Sequence, residues 1–515
     1  MKKSVGIAVG LVVAAGVVGT AGAWYTGNQL EPFLKTSIAE SNEALKALLP
    51  GTGITPSMEL VSFEKGLFTS TARYRLKVVG AVGADKTPVD GELLFVDHIE
   101  HGPFPVSRVA KLQLMPVMAK STFALEPSPL VEKWFALAKG QSPLVGQSSL
   151  GYNKDVSGNL QFLPLEFTEA DMTLTFSGLD MDFEGSQDMK AAKVDGNMDS
   201  LTLVGKDNLR IEFQGLNLAS DTKEGKSGLG LGSSAVSLKL INVLAPEQQP
   251  VVVKDVAIKG NLGENAEGVF GSTTYDTGMI SYAGKDIGSL KMGYSAKNLD
   301  ITAVKALVDL YKEMLTNIDA STFDANNPDF DLSAEQKAQL ETTLGTLLAG
   351  KPVVALDTLT LKTANGESRF NLSVGLSKPS SYELPPQALL MEGLASLDAR
   401  LVVSKAMIKD VMLLKDTFEP SGDPAAAQAE AEQMAEMAGG MAVGMQMATL
   451  EGSDIVANLN YAAGQVDFNG RKMPVEEFLA MAMGMVPGGA GGMTGAEEEA
   501  EGESYEETEE AEEAE

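Results

Sequence analysis

Alternation of apolar and polar residues with a period of two is the feature that most constrains the fold of this chain. Met172, Leu174 and Phe176, for example, alternate with threonines. This period places successive side chains on opposite faces of a β-strand, so each such segment predicts a strand with one buried face. The other segments with this pattern are residues 209–213, 236–240, 370–376, 397–403 and 455–461.

Gly, Asn and Asp turns, rather than helices, separate most neighbouring segments. Such connections favour antiparallel meanders over βαβ units. The chain is therefore predicted to be mainly β, with helical insertions and long antiparallel sheets that twist and curl. Asn365-Gly366 lies between two alternating runs and predicts a two-residue hairpin turn with positive φ at both residues.

Helical spacing replaces the period of two in two insertions. The first is a helix pair at residues 304–315 and 333–348, and the second helix of this pair opens with a Ser333-x-x-Gln336 capping box. A last short helix is predicted to begin near Pro474.

The second insertion is predicted at residues 406–448 and carries a methionine stripe. Met434, Met437, Met441 and Met445 recur at helical spacing. Such a stripe usually faces a core, and we expect that here. The alternative is a binding groove, because the flexible thioether adapts to irregular ligands.

The N-terminus predicts export. Lys2 and Lys3 precede an uncharged run at residues 4–25, which is long enough to cross a bilayer as a helix and keeps its cations inside. Trp24 and Tyr25 would then occupy the interfacial aromatic belt. The alternative is a cleaved signal peptide, because small residues at positions 21 and 23 suit cleavage before Trp24. A buried core helix is disfavoured because the run has no polar face.

Residues 30–49 form a second apolar pattern at helical spacing and end at Pro50-Gly51. The polar side of this amphipathic helix lacks the cationic excess that lipid headgroups favour, which predicts a helix docked on the domain rather than on a membrane surface. The predicted organisation is an anchor or signal peptide at 1–25, this helix at 26–50, a β-rich domain at 51–485 with helical segments near 302–350 and 406–448, and a disordered Gly-rich linker with an acidic tail at 486–515.

Charge and cysteine content exclude several classes of function. The formal net charge is −30, from 70 acidic and 40 basic residues, which disfavours nucleic acid as a partner. The chain has no cysteine, which excludes disulfides, thiolate catalysis, zinc-thiolate sites and lipoprotein acylation. Residues 497–515 contain no cation and are predicted to be disordered.

The two histidines, His98 and His101, are the first candidate metal ligands. The preceding residues predict a strand, in which positions three apart point to opposite faces. The pair is therefore not expected to bind a metal, and residues 101–105 are interpreted as a structural turn in which Phe104 is a packing residue.

Two further motifs lack a required residue. Gly225-Lys226-Ser227 resembles the end of a phosphate-binding loop, but Ser220 replaces the first glycine. The acids at positions 180, 182 and 184 begin like a calcium loop, but Ala191 replaces the final glutamate. No catalytic, cofactor-binding or metal-binding residue is predicted.

Short segments along the chain together indicate a family. They are Gly22-Ala23-Trp24-Tyr25-Thr26-Gly27, His101-Gly102-Pro103-Phe104-Pro105, Leu114-Met115-Pro116, Ala138-Lys139-Gly140, Gly151-Tyr152, Gly350-Lys351-Pro352-Val353, Gly366-Glu367-Ser368, Tyr461-Ala462-Ala463-Gly464-Gln465 and Asn469-Gly470-Arg471-Lys472-Met473. In this order, from the apolar run to about Phe478, the chain resembles the YdgA family of uncharacterised bacterial envelope proteins.

The resemblance implies an inner-membrane or periplasmic protein with no established reaction and no catalytic residues to carry over. The acidic tail lies outside it. The layout of an anchor followed by an extended sheet is also similar to that of AsmA-like envelope proteins, which handle lipid through a β-groove, but this similarity carries no motif.

Two functional classes follow from these observations. The first is a non-enzymatic protein of the inner membrane, single-pass with its bulk in the periplasm, which handles lipid or supports envelope assembly through an apolar β-groove. Its expected partners are the inner membrane, lipid or another envelope protein, with a homo-oligomer as an option. The alternative is a carboxylate-dependent envelope hydrolase. We expect the first class.

Overall fold

A computed structural model describes most of the chain. The described residues are 34–36, 38–39, 42, 55–66, 68–82, 88–102, 105–186, 190–317, 332–418 and 422–485. The predicted anchor, the acidic tail and Phe104 lie outside them, so the statements about these segments remain predictions. Within the described ranges, no helix is both long enough and apolar enough to cross a membrane.

In the described part of the chain, twenty-two β-strands form one sheet, and neighbouring strands pair in antiparallel fashion. The first ten are β1 Thr55–Lys65, β2 Thr69–Val82, β3 Pro88–His101, β4 Ala119–Glu126, β5 Leu144–Leu150, β6 Asp155–Phe162, β7 Leu165–Glu169, β8 Met172–Phe176, β9 Leu179–Ser186 and β10 Ala191–Val204. The next seven are β11 Arg210–Glu224, β12 Gly230–Leu244, β13 Val251–Asn265, β14 Gly268–Tyr282, β15 Lys285–Leu299, β16 Val353–Lys362 and β17 Glu367–Leu376. The last five are β18 Leu394–Ser404, β19 Thr449–Glu451, β20 Asp454–Ala462, β21 Gln465–Phe468 and β22 Arg471–Pro474.

The sheet is an open meander that follows chain order with two local exceptions. In the first exception, β6 pairs with β9, and the β7–β8 hairpin does not lie between them. This hairpin pairs instead with the second half of β10, through β8. β20 pairs with β18 along one edge and with β19 and β21 along the other. The predicted antiparallel meander is therefore confirmed, and the alternating segments lie in strands, apart from Leu209, which immediately precedes β11.

Eight helices are described between residues 105 and 485. They are α1 Val106–Ala110, α2 Glu132–Leu137, α3 Ile301–Asn317, α4 Ala334–Ala349, α5 Pro386–Gly393, α6 Lys405–Phe418, α7 Pro424–Gly444 and α8 Val475–Met485. The predicted pair is confirmed as α3 and α4, including the capping box, in which Ser333 Oγ accepts from the Gln336 backbone N–H at 3.2 Å. The predicted region 406–448 is two helices, with Asp423 capping the second. The sequence pattern did not predict α1, α2 and α5.

The turn at Asn365-Gly366 differs from the prediction. β16 and β17 form the expected hairpin, but Lys362 pairs with Glu367, which leaves a four-residue connection, and neither Asn365 nor Gly366 has a positive φ. The physical reason is tertiary: the Asp410 carboxylate on α6 accepts hydrogen bonds from the backbone N–H and the side-chain amide of Asn365, at 2.9 and 2.7 Å. These bonds fix a wider loop than the isolated dipeptide favours.

The amphipathic helix after the predicted anchor is described at six positions: residues 34–36, 38, 39 and 42. All six are helical. Leu34 and Ile38 are buried in a core cluster with Tyr74 and Ile99 of the sheet. Asn42 bonds to both the backbone N–H and the carbonyl of Met58, at 2.7 and 2.9 Å. These contacts agree with a helix docked on the domain.

Candidate functional site

One row of side chains crosses the sheet from β1 to β20. Directly opposite residues of antiparallel strands share a face, so the strand register places all of them on the same side, which we call the apolar face. The row is Phe63, Ala72, Asp97, Phe123, Gly146, Leu160, Met181, Gly196, Leu218, Val236, Ile258, Tyr275, Met292, Leu359, Phe370, Leu401 and Ala457. Asp97 is its one charged member.

The apolar face is buried in β1 to β10. One core cluster there contains Phe123, Leu160, Met181 and Phe183, each at most 4% exposed. The Phe183 ring lies over Gly158, where an added Cβ would come within 2.6 Å of the ring. The docked N-terminal helix covers the neighbouring part of the face, through the Leu34 and Ile38 contacts described above.

The apolar face is buried again at the other edge of the sheet. Tyr461, Val466 and Met473 of the last strands form a cluster with Val475 at the start of α8. Partly buried residues of the same helix, including Phe478, pack against this cluster, and the Phe468 and Phe478 rings are 5.5 Å apart. The C-terminal helix therefore covers this edge.

The middle of the same face, from β11 to β17, has no such cover. None of the core clusters among the described residues draws a member from these seven strands. Five large apolar side chains on the face are between 38% and 46% exposed. We call this region the uncovered stretch, and these five residues are Leu262, Tyr294, Val354, Leu361 and the flanking Leu401. Exposed apolar side chains on one face make this stretch a candidate interaction surface.

Glycines create a depression within the uncovered stretch. It has a volume of about 530 Å³ and is lined by Gly232, Gly260, Gly271 and Tyr294, among others. Gly232 has a φ of +147°, and a Cβ there would lie 1.9 Å from the Asp221 carbonyl oxygen, so only glycine fits. Tyr294 meets Tyr275 edge to face, with ring centroids 6.5 Å apart. The result is a hollow with an aromatic wall, and its lining also includes the hydroxyl side chains of Thr222, Ser234 and Thr273.

A polar border follows the apolar rows on the same face. Glu212 accepts hydrogen bonds from Gln214 Nε2 at 2.5 Å and from Arg210 at 3.1 Å, and Asn242 donates to it at 3.4 Å. These donors, led by Gln214, lower the pKa of the Glu212 carboxyl. The exposed Lys254 lies opposite Leu240 in the next rows. The face thus changes from apolar to charged along the strands.

The opposite face of the sheet is polar behind the glycine-lined depression. Lys193, Asp195, Asp221 and Lys259 line a depression of about 440 Å³ there. This is where the structure brings two carboxylates, Asp195 and Asp221, to one cavity. The alternative of a carboxylate-dependent hydrolase, which was made without named residues, stays a prediction.

Asp97 is a buried carboxyl within the apolar face. It is fully buried, and burial raises its pKa to about 7, against hydrogen bonds from Ser121, Tyr74 and the Thr122 backbone N–H that lower it. Its Oδ2 atom has no hydrogen-bond partner among the described residues. Because this carboxyl is fully buried, we expect its ionisation to lower the stability of the fold rather than to serve a reaction. The sequence analysis missed it, although it is the one charge on the buried side of strand β3.

The histidines lie where a strand places them. Both belong to β3, so they point to opposite faces, as predicted. His98 Nδ1 is 3.3 Å from Thr71 Oγ1 on the exposed side, and His101 Nε2 is 3.0 Å from Ser70 Oγ on the other.

The two incomplete motifs are structural. The 225–227 turn holds the Glu264 carboxylate, which accepts from the backbone N–H groups of Lys226 and Ser227 at 2.6 and 3.1 Å. The acids at positions 180, 182 and 184 alternate along β9 on its exposed side.

The methionine stripe is not part of the core, and this prediction was wrong. Met434, Met437, Met441 and Met445 are 37% to 56% exposed. The buried side of α7 is formed instead by Ala427, Ala431, Ala435 and Gly439. Small residues allow α7 to lie close to α6, with Lys405 crossing directly over Gly439. That close approach turns the bulkier methionines outward.

Comparison with known proteins agrees with this architecture at the level of family. Residues 1–476 match the family described as "Bacterial protein of unknown function (DUF945)". The chain belongs to this family. It is 28% identical to Protein YdgA of Escherichia coli (strain K12) over 490 residues, which cover 93% of this chain and 97% of that protein.

Two further relatives of this DUF945 chain are uncharacterised. Protein YihF of the same Escherichia coli strain is 22% identical over 92% of this chain and 98% of its own. A protein of Haemophilus influenzae (strain ATCC 51907 / DSM 11121 / KW20 / Rd) is 29% identical over 31% of this chain and 41% of its own. No solved structure matches. The resemblance to the YdgA family is thus confirmed.

Proposed function

We propose that this DUF945 protein is a non-enzymatic, membrane-anchored envelope protein that binds lipid acyl chains along the uncovered stretch of its apolar face. The observation that carries the proposal is the continuity across the sheet of the row of side chains from Phe63 to Ala457, which we call the central row. The same face is buried in most of the first ten strands and again beneath α8, whereas the row members from Leu218 to Phe370 are half-buried and belong to no core cluster among the described residues.

The size of the uncovered stretch suits lipid tails. Strands lie about 4.8 Å apart, so seven strands span roughly 30 Å. This is about the hydrocarbon thickness of a whole bilayer, so the stretch is longer than one phospholipid tail. Removing apolar surface from water contributes about 25 cal/mol per Å². An acyl chain lying along the row would bury part of every half-exposed side chain, and each such contact would add to the binding free energy.

The polar border gives the site an amphipathic character. The Arg210, Glu212 and Asn242 network lies on the same face as Leu218 and Val236, beyond the apolar rows. A phospholipid has the same polarity along its length: apolar tails and a charged or polar head.

The test is lipid co-purification followed by native mass spectrometry of the full chain extracted from membranes. The variant Val354→Gln/Leu361→Gln places two polar side chains on the apolar face of β16. The matched control Ala355→Gln/Lys362→Gln alters the adjacent positions, which point to the opposite face. We expect bound phospholipid to fall several-fold in the first variant and to stay unchanged in the control.

Equal lipid retention in both variants would overturn the proposal. So would a protein chain, rather than lipid, that remains bound to the unmodified protein and is lost with Val354→Gln/Leu361→Gln. Circular dichroism spectra of both variants must match the unmodified chain, so that loss of lipid reports on the site.

A further inference from the structure

Several loops meet at one end of the sheet, which we call the loop end. They are the turn after β1, the connection 105–118 between β3 and β4, and the turn 151–154 between β5 and β6. The His101 backbone N–H donates to the Phe68 carbonyl at 2.9 Å, and the Met118 N–H donates to the Leu150 carbonyl at 2.8 Å. These bonds hold the loops side by side.

Large apolar side chains at the loop end project into solvent. Leu112 is 83% exposed, Met115 77%, Val106 76% and Phe68 73%. Leu114 and Tyr152 are also exposed. Leu112 has a φ of 58°, a left-handed conformation that costs a non-glycine residue about 1 kcal/mol. The exposure of these side chains and the strained backbone at Leu112 together indicate that the loop presents its apolar tip to solvent.

The charge of the loop end is opposite to that of the whole chain. No Asp or Glu occurs from residue 101 to residue 125, in a protein whose formal net charge is −30. Arg108, Lys111 and Lys120 lie in this segment. The pKa of Lys120 is lowered, first by burial and then by the positive charges of Lys111 and Arg108, while Glu100 acts in the other direction. Cations are therefore crowded here.

The chain enters the domain near this end. Leu34 and Ile38 lie in the same core cluster as Ile99 and Ala119, which are beside the β3–β4 connection, whereas Asn42 reaches Met58. The apolar run that is predicted to anchor the protein ends at residue 25. Eight residues lie between residue 25 and Leu34, and this link spans at most roughly 30 Å. A bilayer that holds the anchor therefore lies within reach of the loop end.

From these observations we infer that the loop end docks on the surface of a bilayer that contains anionic phospholipid, with Phe68, Leu112 and Met115 in the interfacial region. Exposed apolar tips flanked by Lys and Arg are the pattern by which protein surfaces enter headgroup layers. A second copy of the chain is a poorer occupant, because its loop end would bring the same cations.

Docking can be measured on the full chain, because the protein has no cysteine and accepts single labels. Leu112→Cys carries a bimane label at the loop end. The matched control Leu450→Cys carries it on β19, an exposed position at the opposite end of the sheet. Both proteins are reconstituted, one per nanodisc, in phosphatidylcholine with one quarter phosphatidylglycerol and with tail-brominated lipid as the quencher.

We expect the label at position 112 to be quenched at least threefold more than the label at position 450. Lys111→Gln, added to Leu112→Cys, should reduce this quenching in the anionic discs and bring it to the level seen in discs of phosphatidylcholine alone. Equal quenching at the two positions would overturn the inference. So would quenching of the label at position 112 that appears only in discs holding two copies of the protein. Neither result depends on lipid retention by the uncovered stretch.

Discussion

The strands β1 to β10 and the strands β11 to β17 share one sheet and one central row, but only the first group has a core. Leu160 and Leu218 belong to the same row, and their side chains point the same way. Leu160 is 4% exposed within a cluster, whereas Leu218 is half-buried and belongs to none. An alternating strand therefore specifies which side chains share a face, and other parts of the chain decide whether that face is covered.

The largest expected effect on stability concerns Asp97, the buried charge in strands β1 to β10. Its pKa is about 7 in the folded protein and near 3.8 in the unfolded chain. Between these values the unfolded chain releases the proton and the folded protein keeps it, so the free energy of unfolding falls as pH rises from about 4 to 7 and then levels off. The shift corresponds to a cost on the order of 4 kcal/mol above pH 7.

Asp97→Asn removes this titration. The variant should match the unmodified protein near pH 4 and exceed its stability at pH 8, where the difference in free energy of unfolding reaches its maximum. Urea titrations at a series of pH values measure that difference. A difference that is constant with pH would contradict the assignment.

The matched pair Leu160→Ala and Leu218→Ala tests the comparison directly. Truncation of a side chain in the core of β1 to β10 leaves a cavity, so Leu160→Ala should lower the free energy of unfolding by about 3 kcal/mol. Leu218→Ala removes a side chain that already contacts solvent, and should cost about 1 kcal/mol. Equilibrium urea unfolding of both variants gives the two costs. Equal costs would show that the uncovered stretch is packed in solution.

Two glycines on the apolar face sharpen the same contrast at smaller scale. In Gly158→Ala the added Cβ would lie 2.1 Å from the Gln147 carbonyl oxygen and 2.6 Å from the Phe183 ring, which should cost about 2 kcal/mol. In Gly260→Ala the nearest atom is Ser234 Oγ at 3.0 Å, and the expected cost is about 0.5 kcal/mol. Thermal melting ranks the two variants, and a reversed order would argue against an open middle.

The smallest expected effect is that of the acidic tail. A chain that ends near residue 495 should unfold at the same temperature as the full protein, because residues 497–515 cannot bury enough surface to offset their ordering entropy. Differential scanning calorimetry compares the two. A loss of several degrees would mean that the tail packs on the domain.

Local patterns predicted the elements well and their contacts poorly. The alternation at residues 370–376 and the capping box at Ser333 were sufficient for a strand and a helix start, because both depend on neighbours in sequence. The turn at Asn365 and the methionine stripe of α7 were predicted wrongly. Both depend on α6: Asp410 widens the turn, and the close approach of the two helices leaves room only for alanine and glycine between them.

The sequence by itself determined that this is a mainly antiparallel β protein of the DUF945 family, because strand period and motif order are properties of the chain alone. Only the tertiary structure decided where the apolar face is open. Leu34, Ile38 and α8 lie beyond the two ends of the strand series and bury its outer strands, but none of the core clusters among the described residues draws a member from β11 to β17. Burial depends on segments distant in sequence, and a local period carries no information about them.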